Sequence, residues 1–410
     1  MSQYDCAIAA INGDLDASTI YHYLSNSRLC VCFYRQSIWG VRMFVHRAWY
    51  RAAWSKELGK DPMHRKFLMQ DVALYRDSKG KVHALNAICP HRGANLGEGK
   101  VVGDCLQCPF HGLVFNADGH CEKMPFQPDN RPIPKQARVT SYPVREQDGI
   151  IWIWMDTETE PHIEPDRFAW LDIAAGNYRN YAKTDLIPGS YLINVETAIE
   201  DTHIPFVHRK TLARFFDQGA SKVPRQKIKR HADGMGFTCQ LDPASSWWPD
   251  GSPGDTPAEQ IPEKLRKLGI LERRFRLGGQ VIYEDKNGGD AGEFAAFVTP
   301  MDEHNTWFSV ASVINKKRNG FLKSLWWRLL FSYTSFADRV LGEDHKANSS
   351  PLIDHPGNLA NPVMFPVDNH LVEFRKLWFE ALKREGRERP PAFTRPTPWN
   401  KKHVSDEPVA

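Results

Sequence analysis

Two short motifs of cysteine and histidine constrain this chain more than any other feature. The segment CPHRGANLGEGKVVGDCLQCPFHG holds Cys89-x-His91, then sixteen residues, then Cys108-x2-His111. Each motif offers one thiolate and one imidazole, and both groups bind transition metals. Two loops that each supply one sulfur and one nitrogen suit a two-iron cluster in which thiolates bind one iron and imidazoles bind the other. The pattern therefore predicts a [2Fe–2S] centre of mixed ligation.

Two plainer interpretations of the same cysteines remain open. Cys105 and Cys108 form a C-x2-C pair, which is also found in zinc sites, although no second such pair lies at finger-like spacing. The cysteines could alternatively be buried structural residues, and Cys105 and Cys121 are expected to be small apolar residues or strand residues without a cluster role. Eight cysteines in 410 residues are too sparse for a disulfide scaffold.

The overall composition indicates a folded protein of two domains. The chain has 410 residues, 41% of them hydrophobic, and a formal net charge of only +4 with scattered basic residues, which gives no argument for nucleic-acid binding. The N-terminus has no basic head before an apolar core, and the longest apolar stretch, 325–331, is interrupted by Arg328 and is too short to span a bilayer. We expect a cytoplasmic protein.

The pattern of strands and helices divides the chain into three parts. Residues 1–45 are an N-terminal arm of unassigned role, residues 46–160 alternate as strands with a turn at Asp148-Gly149, and residues 161–410 are mixed. The predicted fold class is α+β, with an N-terminal antiparallel β domain and a larger C-terminal domain that has an antiparallel sheet flanked by helices. Predicted strands of that sheet are 273–285, 293–300 and 306–315, and predicted helices are 190–203, 320–345 and 372–386.

The segment 242–263 is rich in Pro, Gly, Ser and Asp and predicts a long loop, either a lid that carries Trp247 and Trp248 or a solvated insertion. Other aromatic residues could line an apolar cavity or belong to the plain core, namely Phe206, Phe215, Phe216, Phe294, Phe297 and Trp307. His304 is expected in a surface turn.

A second candidate metal site lies in NVETAIEDTHIPFVH. Glu200 and His203 are three residues apart and would share a helical face, whereas Pro205 would end the helix and let His208 return from the next turn. Together with a carboxylate from further along the chain, the two imidazoles would make a facial triad that leaves coordination positions of Fe(II) open for O₂ chemistry. A pair of ordinary core histidines is the alternative.

The motifs CPHRG and CPFHG resemble the Rieske domain of ring-hydroxylating and related non-haem iron oxygenases, and residues 46–350 share in the resemblance. The respiratory Rieske proteins carry an extra cysteine in each loop, where this chain has Ala94 and Phe110. The resemblance implies cluster ligation by Cys89, His91, Cys108 and His111, and a catalytic domain of START-like helix-grip type.

The same resemblance implies the remaining site residues. His203 and His208 would bind a mononuclear Fe(II), and the third ligand would be Asp344, with Glu343 and Asp354 as competitors. Glu200 stands where most relatives have an aspartate that bridges a cluster histidine of one subunit to an iron histidine of the next.

By resemblance the chain is the terminal oxygenase of a multicomponent system that works as a head-to-tail homotrimer and oxygenates a largely apolar, aromatic or polycyclic substrate. No G-x-G-x-x-G and no plant-type ferredoxin motif occurs in the chain, so a separate ferredoxin or NAD(P)H-dependent reductase must supply electrons. Demethylation, desaturation and oxidative cyclisation use the same two metals and remain alternatives. A Rieske electron carrier without the second iron is the alternative from another class.

Overall fold

The structure is a computed structural model that describes residues 44–128, 130–168, 178–200, 202–211, 224–247, 253–255, 271–285, 293–315, 336–348, 363–364, 368–387 and 397–398. Several predictions concern positions outside these ranges: almost all of the N-terminal arm, residues 320–335 of the helix predicted at 320–345, and the residues Phe215, Phe216, Trp248 and Asp354.

The first part of the chain forms three small antiparallel sheets. Their strand orders are β1-β11-β10, β2-β3-β4-β9 and β5-β6-β7-β8, and their bounds are β1 Trp49–Trp54, β2 Met63–Phe67, β3 Gln70–Arg76, β4 Val82–Asn86, β5 Lys100–Val102, β6 Cys105–Gln107, β7 Val114–Phe115, β8 Cys121–Lys123, β9 Ser141–Tyr142, β10 Val144–Gln147 and β11 Ile150–Trp154. The turn predicted at Asp148-Gly149 is confirmed: both residues have positive φ, 54° and 75°, and they join β10 to β11.

The second part is built on one eight-stranded antiparallel sheet. Its order is β12-β19-β18-β17-β16-β14-β13, with β15 paired to β14, and its strands are β12 Tyr178–Pro188, β13 Pro224–Arg230, β14 Gly236–Trp247, β15 Pro253–Asp255, β16 Leu271–Arg276, β17 Gln280–Asp285, β18 Glu293–Pro300 and β19 Asn305–Asn315. A short parallel pair, β20 Val363–Met364 and β21 Thr397–Pro398, follows. The predicted loop at 242–263 is wrong at its start, because β14 continues to Trp247 and pairs there with β15.

Four helices in the described ranges accompany the sheet: α1 Tyr191–Ile199, α2 Ile204–Val207, α3 Phe336–Asn348 and α4 Asn369–Arg384. The amphipathic α4 packs on the sheet, where Phe374 meets Phe275 edge to face at 5.0 Å between ring centroids. A buried ion pair joins α4 to α1, with Arg375 Nε and Nη2 at 2.5 and 2.9 Å from the two oxygens of Glu196. The predicted α+β class, with helices against an antiparallel sheet, is confirmed.

The prediction for 190–203 needs a correction. Helix α1 ends at Ile199, and Glu200 is extended, with φ −108° and ψ 136°, so Glu200 and His203 do not share a helical face. Pro205 does not end a helix but lies in the first turn of α2. Proline is well tolerated there because the first backbone N–H groups of a helix have no intrahelical partner.

An aromatic layer joins the two parts of the chain. Trp54 and Trp152 lie on one side of the layer, and Phe297 of β18 meets both rings at 5.7 Å in nearly perpendicular geometry. The turn between β2 and β3 also reaches the large sheet, because the N–H groups of Leu68 and Met69 donate to the carbonyls of Pro300 and Met301 at 2.9 and 3.0 Å. The two parts therefore share a continuous packed boundary.

Candidate metal centres

The two Cys/His loops are built on the same backbone pattern. In the first loop the N–H of Gly93 donates to the carbonyl of Cys89 at 2.9 Å, and in the second the N–H of Gly112 donates to the carbonyl of Cys108 at 3.2 Å. Both glycines have positive φ, 72° and 73°, which other residues rarely adopt. Each loop thus turns tightly behind its cysteine.

The four predicted cluster residues lie together at the tip of these loops. The rings of His91 and His111 are 4.5 Å apart between centroids. Cys89 and Cys108 are buried, at 1% and 3% exposure. Burial raises the pKa of the Cys89 thiol to about 11, and the neighbouring Cys108 adds to this rise. A thiolate is therefore favoured only when a metal supplies positive charge beside it.

The arrangement of the donors argues against a single zinc ion. Among the residues that the structure describes, only His203, His208 and Asp344 form a group of three or more metal-binding side chains whose donor atoms all lie within 4.8 Å of one another. A tetrahedral zinc would require such convergence, whereas a [2Fe–2S] cluster holds its thiolates and imidazoles apart on two irons. The thiol of Cys105 faces the carboxylate of Glu122 at 3.5 Å instead.

The second candidate site is a compact triad. Asp344 on α3 places Oδ1 3.0 Å from Nε2 of His208 and 3.6 Å from Nε2 of His203, and these two histidines flank α2. The Oδ1 atom is buried but accepts no hydrogen bond of acceptable geometry. A buried carboxylate oxygen without a hydrogen bond is costly unless a cation binds it. The donor set of two imidazoles and one carboxylate therefore fits Fe(II).

Two further carboxylates hold the outer nitrogens of the histidine rings. Glu200 Oε2 lies 2.8 Å from Nδ1 of His203 and its Oε1 accepts the His203 backbone N–H at 3.1 Å. Glu343 Oε2 lies 3.0 Å from Nδ1 of His208 and also accepts the hydroxyl of Thr211 at 2.5 Å. Carboxylates in these places orient the rings and turn the Nε2 lone pairs inward.

The electrostatics of the triad favour positive charge at its centre. Burial lowers the pKa of His208, but the carboxylates of Asp344 and Glu343 outweigh that effect and raise the pKa above its usual value. A bound metal cation would take the place of the proton on the inward nitrogen. Glu343, a predicted competitor for the third ligand position, instead lies on the outer side of His208.

Sequence comparison identifies the first part of the chain directly. Residues 48–143 match the model of the Rieske [2Fe-2S] domain. Over 294 residues, 67% of this chain and 77% of the relative, the sequence is 30% identical to the oxygenase component of chloroacetanilide N-alkylformylase from Rhizorhabdus wittichii. The chain belongs to the Rieske non-haem iron oxygenases.

Other relatives of this Rieske oxygenase match over shorter stretches. The iron-sulfur subunit TsaM1 of the toluene-4-sulfonate monooxygenase system from Comamonas testosteroni is 36% identical over 47% of the chain and 54% of that protein. The oxygenase component of dicamba O-demethylase from Stenotrophomonas maltophilia is 39% identical over 40% of the chain and 48% of that protein. These two matches thus span about half the length of each relative.

Solved structures support the fold of the whole Rieske oxygenase. Dicamba monooxygenase bound to dicamba aligns with a TM-score of 0.62 and 23% identity over 84% of this chain and all of that one. NdmA of Pseudomonas putida CBB5 with caffeine aligns with a TM-score of 0.65 and 22% identity over 85% of this chain and 94% of that one. The predicted architecture of an N-terminal Rieske domain and a larger C-terminal domain is confirmed.

At the level of the family, the prediction of an enzyme is also confirmed, because Rieske oxygenases are oxidoreductases. Two of the relatives are named as a subunit of a monooxygenase system and as an oxygenase component, which implies a separate electron-transfer partner for each of them. No helix within the described ranges is long and apolar enough to cross a membrane.

Four of the six aromatic residues considered for a substrate cavity lie within the described ranges of this Rieske oxygenase, and their surroundings differ. Phe297 belongs to the aromatic layer, and the Trp307 indole donates to the carbonyl of Lys66 across the boundary between the two parts. Phe206 and Phe294 are partly exposed, at 70% and 36%. The interpretation as ordinary core residues therefore applies to Phe297 and Trp307. His304 is an exposed turn residue, as expected.

Sequence reasoning missed the residues that support the triad of His203, His208 and Asp344. Thr211 completes the contacts of Glu343, and no spacing in the sequence signals that role. Tyr283 and Arg273, on the large sheet, contact the end of α1. Their positions follow from strand register, which the sequence pattern around β16 and β17 does not fix.

Proposed function

We propose that this chain is the catalytic terminal oxygenase of a multicomponent Rieske system. In this proposal a Rieske domain at 46–160 binds the [2Fe–2S] cluster through Cys89, His91, Cys108 and His111. A catalytic domain at 161–410 binds a mononuclear Fe(II) through His203, His208 and Asp344.

One observation carries the proposal: two Nε2 atoms and a carboxylate oxygen converge within 4.8 Å, in a chain that also contains a Rieske domain. A Rieske electron carrier would need no such second site. Asp344 is preferred over Glu343 as the third ligand because its Oδ1 faces both Nε2 atoms, whereas Glu343 contacts Nδ1 of His208.

When bound, the cluster supplies single electrons and the mononuclear iron supplies O₂ activation beside the substrate. The chain's own residues prepare that site. Glu200 and Glu343 accept the Nδ1–H protons of His203 and His208, which fixes the tautomers and the ring orientations. The Asp344 carboxylate balances the positive charge that the two rings would share with a metal.

The surroundings of both candidate sites suit contact with other protein chains. Beside the cluster histidines, Ile88, Phe110 and Phe126 are 52%, 60% and 53% exposed. Beside the triad, Phe206 is 70% exposed. Such exposed apolar groups are typical of interaction surfaces. We propose a head-to-tail homotrimer in which Glu200 of one chain bridges His203 to a cluster histidine of the next, with a ferredoxin or reductase as electron donor.

For the reaction we propose monooxygenation of a largely apolar, aromatic substrate, with oxidative N- or O-dealkylation favoured over ring dihydroxylation. The relatives support this choice, since two are named for an O-demethylase and an N-alkylformylase and a third for a monooxygenase.

Iron counting tests the central assignment. We expect about three iron atoms per chain in the wild type and about two in His208→Ala, with the same Rieske absorption spectrum in both. Two iron atoms per wild-type chain would instead support the electron carrier. O₂ uptake and product mass with methoxylated and N-alkylated aromatic substrates, using a surrogate reductase, then test the dealkylation.

A further inference from the structure

The C-terminal end of α1 is held by two side chains of the large sheet. The hydroxyl of Tyr283 on β17 donates to the carbonyl of Ala198 at 2.6 Å, and Nη1 of Arg273 on β16 donates to the carbonyl of Ile199 at 2.5 Å. The last carbonyls of a helix have no partner within the helix, so the sheet supplies partners for two of them. A guanidinium also interacts favourably with the negative end of the helix dipole.

The next residue is Glu200, whose carboxylate contacts His203. The chain leaves the helix at Glu200 in an extended conformation, and the side chain turns back to accept from the backbone and ring of His203. The position of the Ile199 carbonyl therefore determines where the Glu200 side chain starts. The guanidinium of Arg273 lies over the Tyr283 ring at 5.1 Å, so the two contacts support each other.

We propose that Arg273 and Tyr283 are positioning residues that set the Glu200 carboxylate and, through it, the ring of His203. The proposal rests on the proposed function, because it assigns these two residues to the mononuclear site. Burial lowers the pKa of Arg273 below its usual value, and the nearby Tyr283 and Glu200 carboxylate oppose part of that shift.

Other contacts hold α1 in place independently of Arg273 and Tyr283. The effect of replacing either residue should therefore be confined to the end of the helix. The Glu196–Arg375 ion pair anchors α1 to α4 one turn before the end. At the other face, the Thr197 hydroxyl donates to Asn348 of α3 at 3.1 Å. Loss of one contact at the end of α1 should therefore change the direction of Glu200 without unfolding the domain.

The test measures Co²⁺ binding to protein that retains its oxidised cluster and has been depleted of mononuclear iron. The oxidised cluster is diamagnetic, so high-spin Co²⁺ gives a separate EPR signal that reports the geometry of the site. Tyr283→Phe should weaken Co²⁺ binding about 3-fold, and Arg273→Met should weaken it about 10-fold. Both changes should alter the EPR signal, and Arg273→Lys should recover part of the loss because it can still donate to Ile199.

Two matched controls remove similar groups elsewhere. Tyr50→Phe deletes a hydroxyl that donates to the Val45 carbonyl at 2.6 Å, away from the triad. Arg274→Met removes the neighbouring guanidinium, which points to Asp166 at 3.7 Å. Neither variant should change Co²⁺ affinity or its spectrum.

The outcomes separate the positioning role from the metal site itself. Wild-type Co²⁺ affinity and an unchanged EPR signal in folded Tyr283→Phe and Arg273→Met protein would refute the positioning role and leave the iron site intact. If Arg273→Met does not fold, Tyr283→Phe decides the question alone. If the wild type binds no Co²⁺, or if His203→Ala binds it equally well, the proposed iron site fails and the positioning role with it.

Discussion

Replacing Glu200 with glutamine removes a charge and one hydrogen-bond acceptor at the contact with His203. The carboxylate now accepts twice, from the His203 backbone N–H at 3.1 Å and from ring Nδ1 at 2.8 Å. The two donors meet different oxygens of the carboxylate, Oε1 and Oε2, and an amide replaces one of those oxygens with a donor NH₂ group, so in the same geometry it accepts from only one of them. In Glu200→Gln the other donor faces an N–H group.

The loss of a hydrogen bond to a charged group corresponds to about 1.5–3 kcal/mol, or roughly 10- to 150-fold in an equilibrium or rate constant. We expect Glu200→Gln to keep its Rieske spectrum, to keep most of its mononuclear iron at saturating iron, and to be reduced normally by the partner reductase. Electron delivery to the mononuclear site should slow at least 10-fold. Glu200→Asp should keep partial activity. It retains a carboxylate, but the side chain is one methylene shorter on a backbone that fits Glu.

A single-turnover experiment measures this effect. The cluster is reduced in advance, substrate and O₂ are added, and reoxidation of the cluster is followed together with product. Normal reoxidation and a normal product yield in Glu200→Gln would show that Glu200 is an ordinary acid beyond the end of a helix. A control without substrate should lack the slow phase of cluster reoxidation that we expect in Glu200→Gln.

Three further changes test other parts of the molecule. Cys108→Ser should abolish the Rieske spectrum, since a serine hydroxyl cannot replace the thiolate; stoichiometric zinc in a colourless wild type would contradict the assignment. Asp344→Ala should remove the mononuclear iron and turnover while leaving the cluster spectrum intact, and full iron occupancy in that variant would point to Glu343 or Asp354 as the ligand. Arg375→Met should lower the free energy of unfolding by about 3–5 kcal/mol, because it leaves the Glu196 carboxylate buried without its partner; an unchanged denaturant midpoint would be inconsistent with this ion pair.

The cluster loops were predictable from the sequence because their chemistry is local. Cys89 and His91 are two residues apart, and so few residues between the ligands leave little freedom for the loop to place them elsewhere. The strands of the Rieske domain followed from alternation and from the Asp148-Gly149 turn, which are also short-range signals.

The second site was less predictable because it depends on distant contacts. His203 and His208 could be named from spacing, but the choice between Asp344 and Glu343 depends on which side of α3 faces α2. Glu200 was expected within a helix, but α1 ends one residue earlier, at Ile199. Side chains of the large sheet contact the last carbonyls of α1 at this point. Tertiary contacts of this kind override local helical preference.

The turn between β2 and β3 limits how the molecule can be divided. Leu68 and Met69 both have positive φ, 49° and 70°, although neither is glycine. Such a conformation costs about 1–2 kcal/mol per residue and persists when surrounding contacts hold it. Here the contacts come from Pro300, the last residue of β18, and from Met301, which follows it. Excised alone, the cluster-bearing part would lose the partners that hold this strained turn, so we expect it to be less stable alone than within the whole chain.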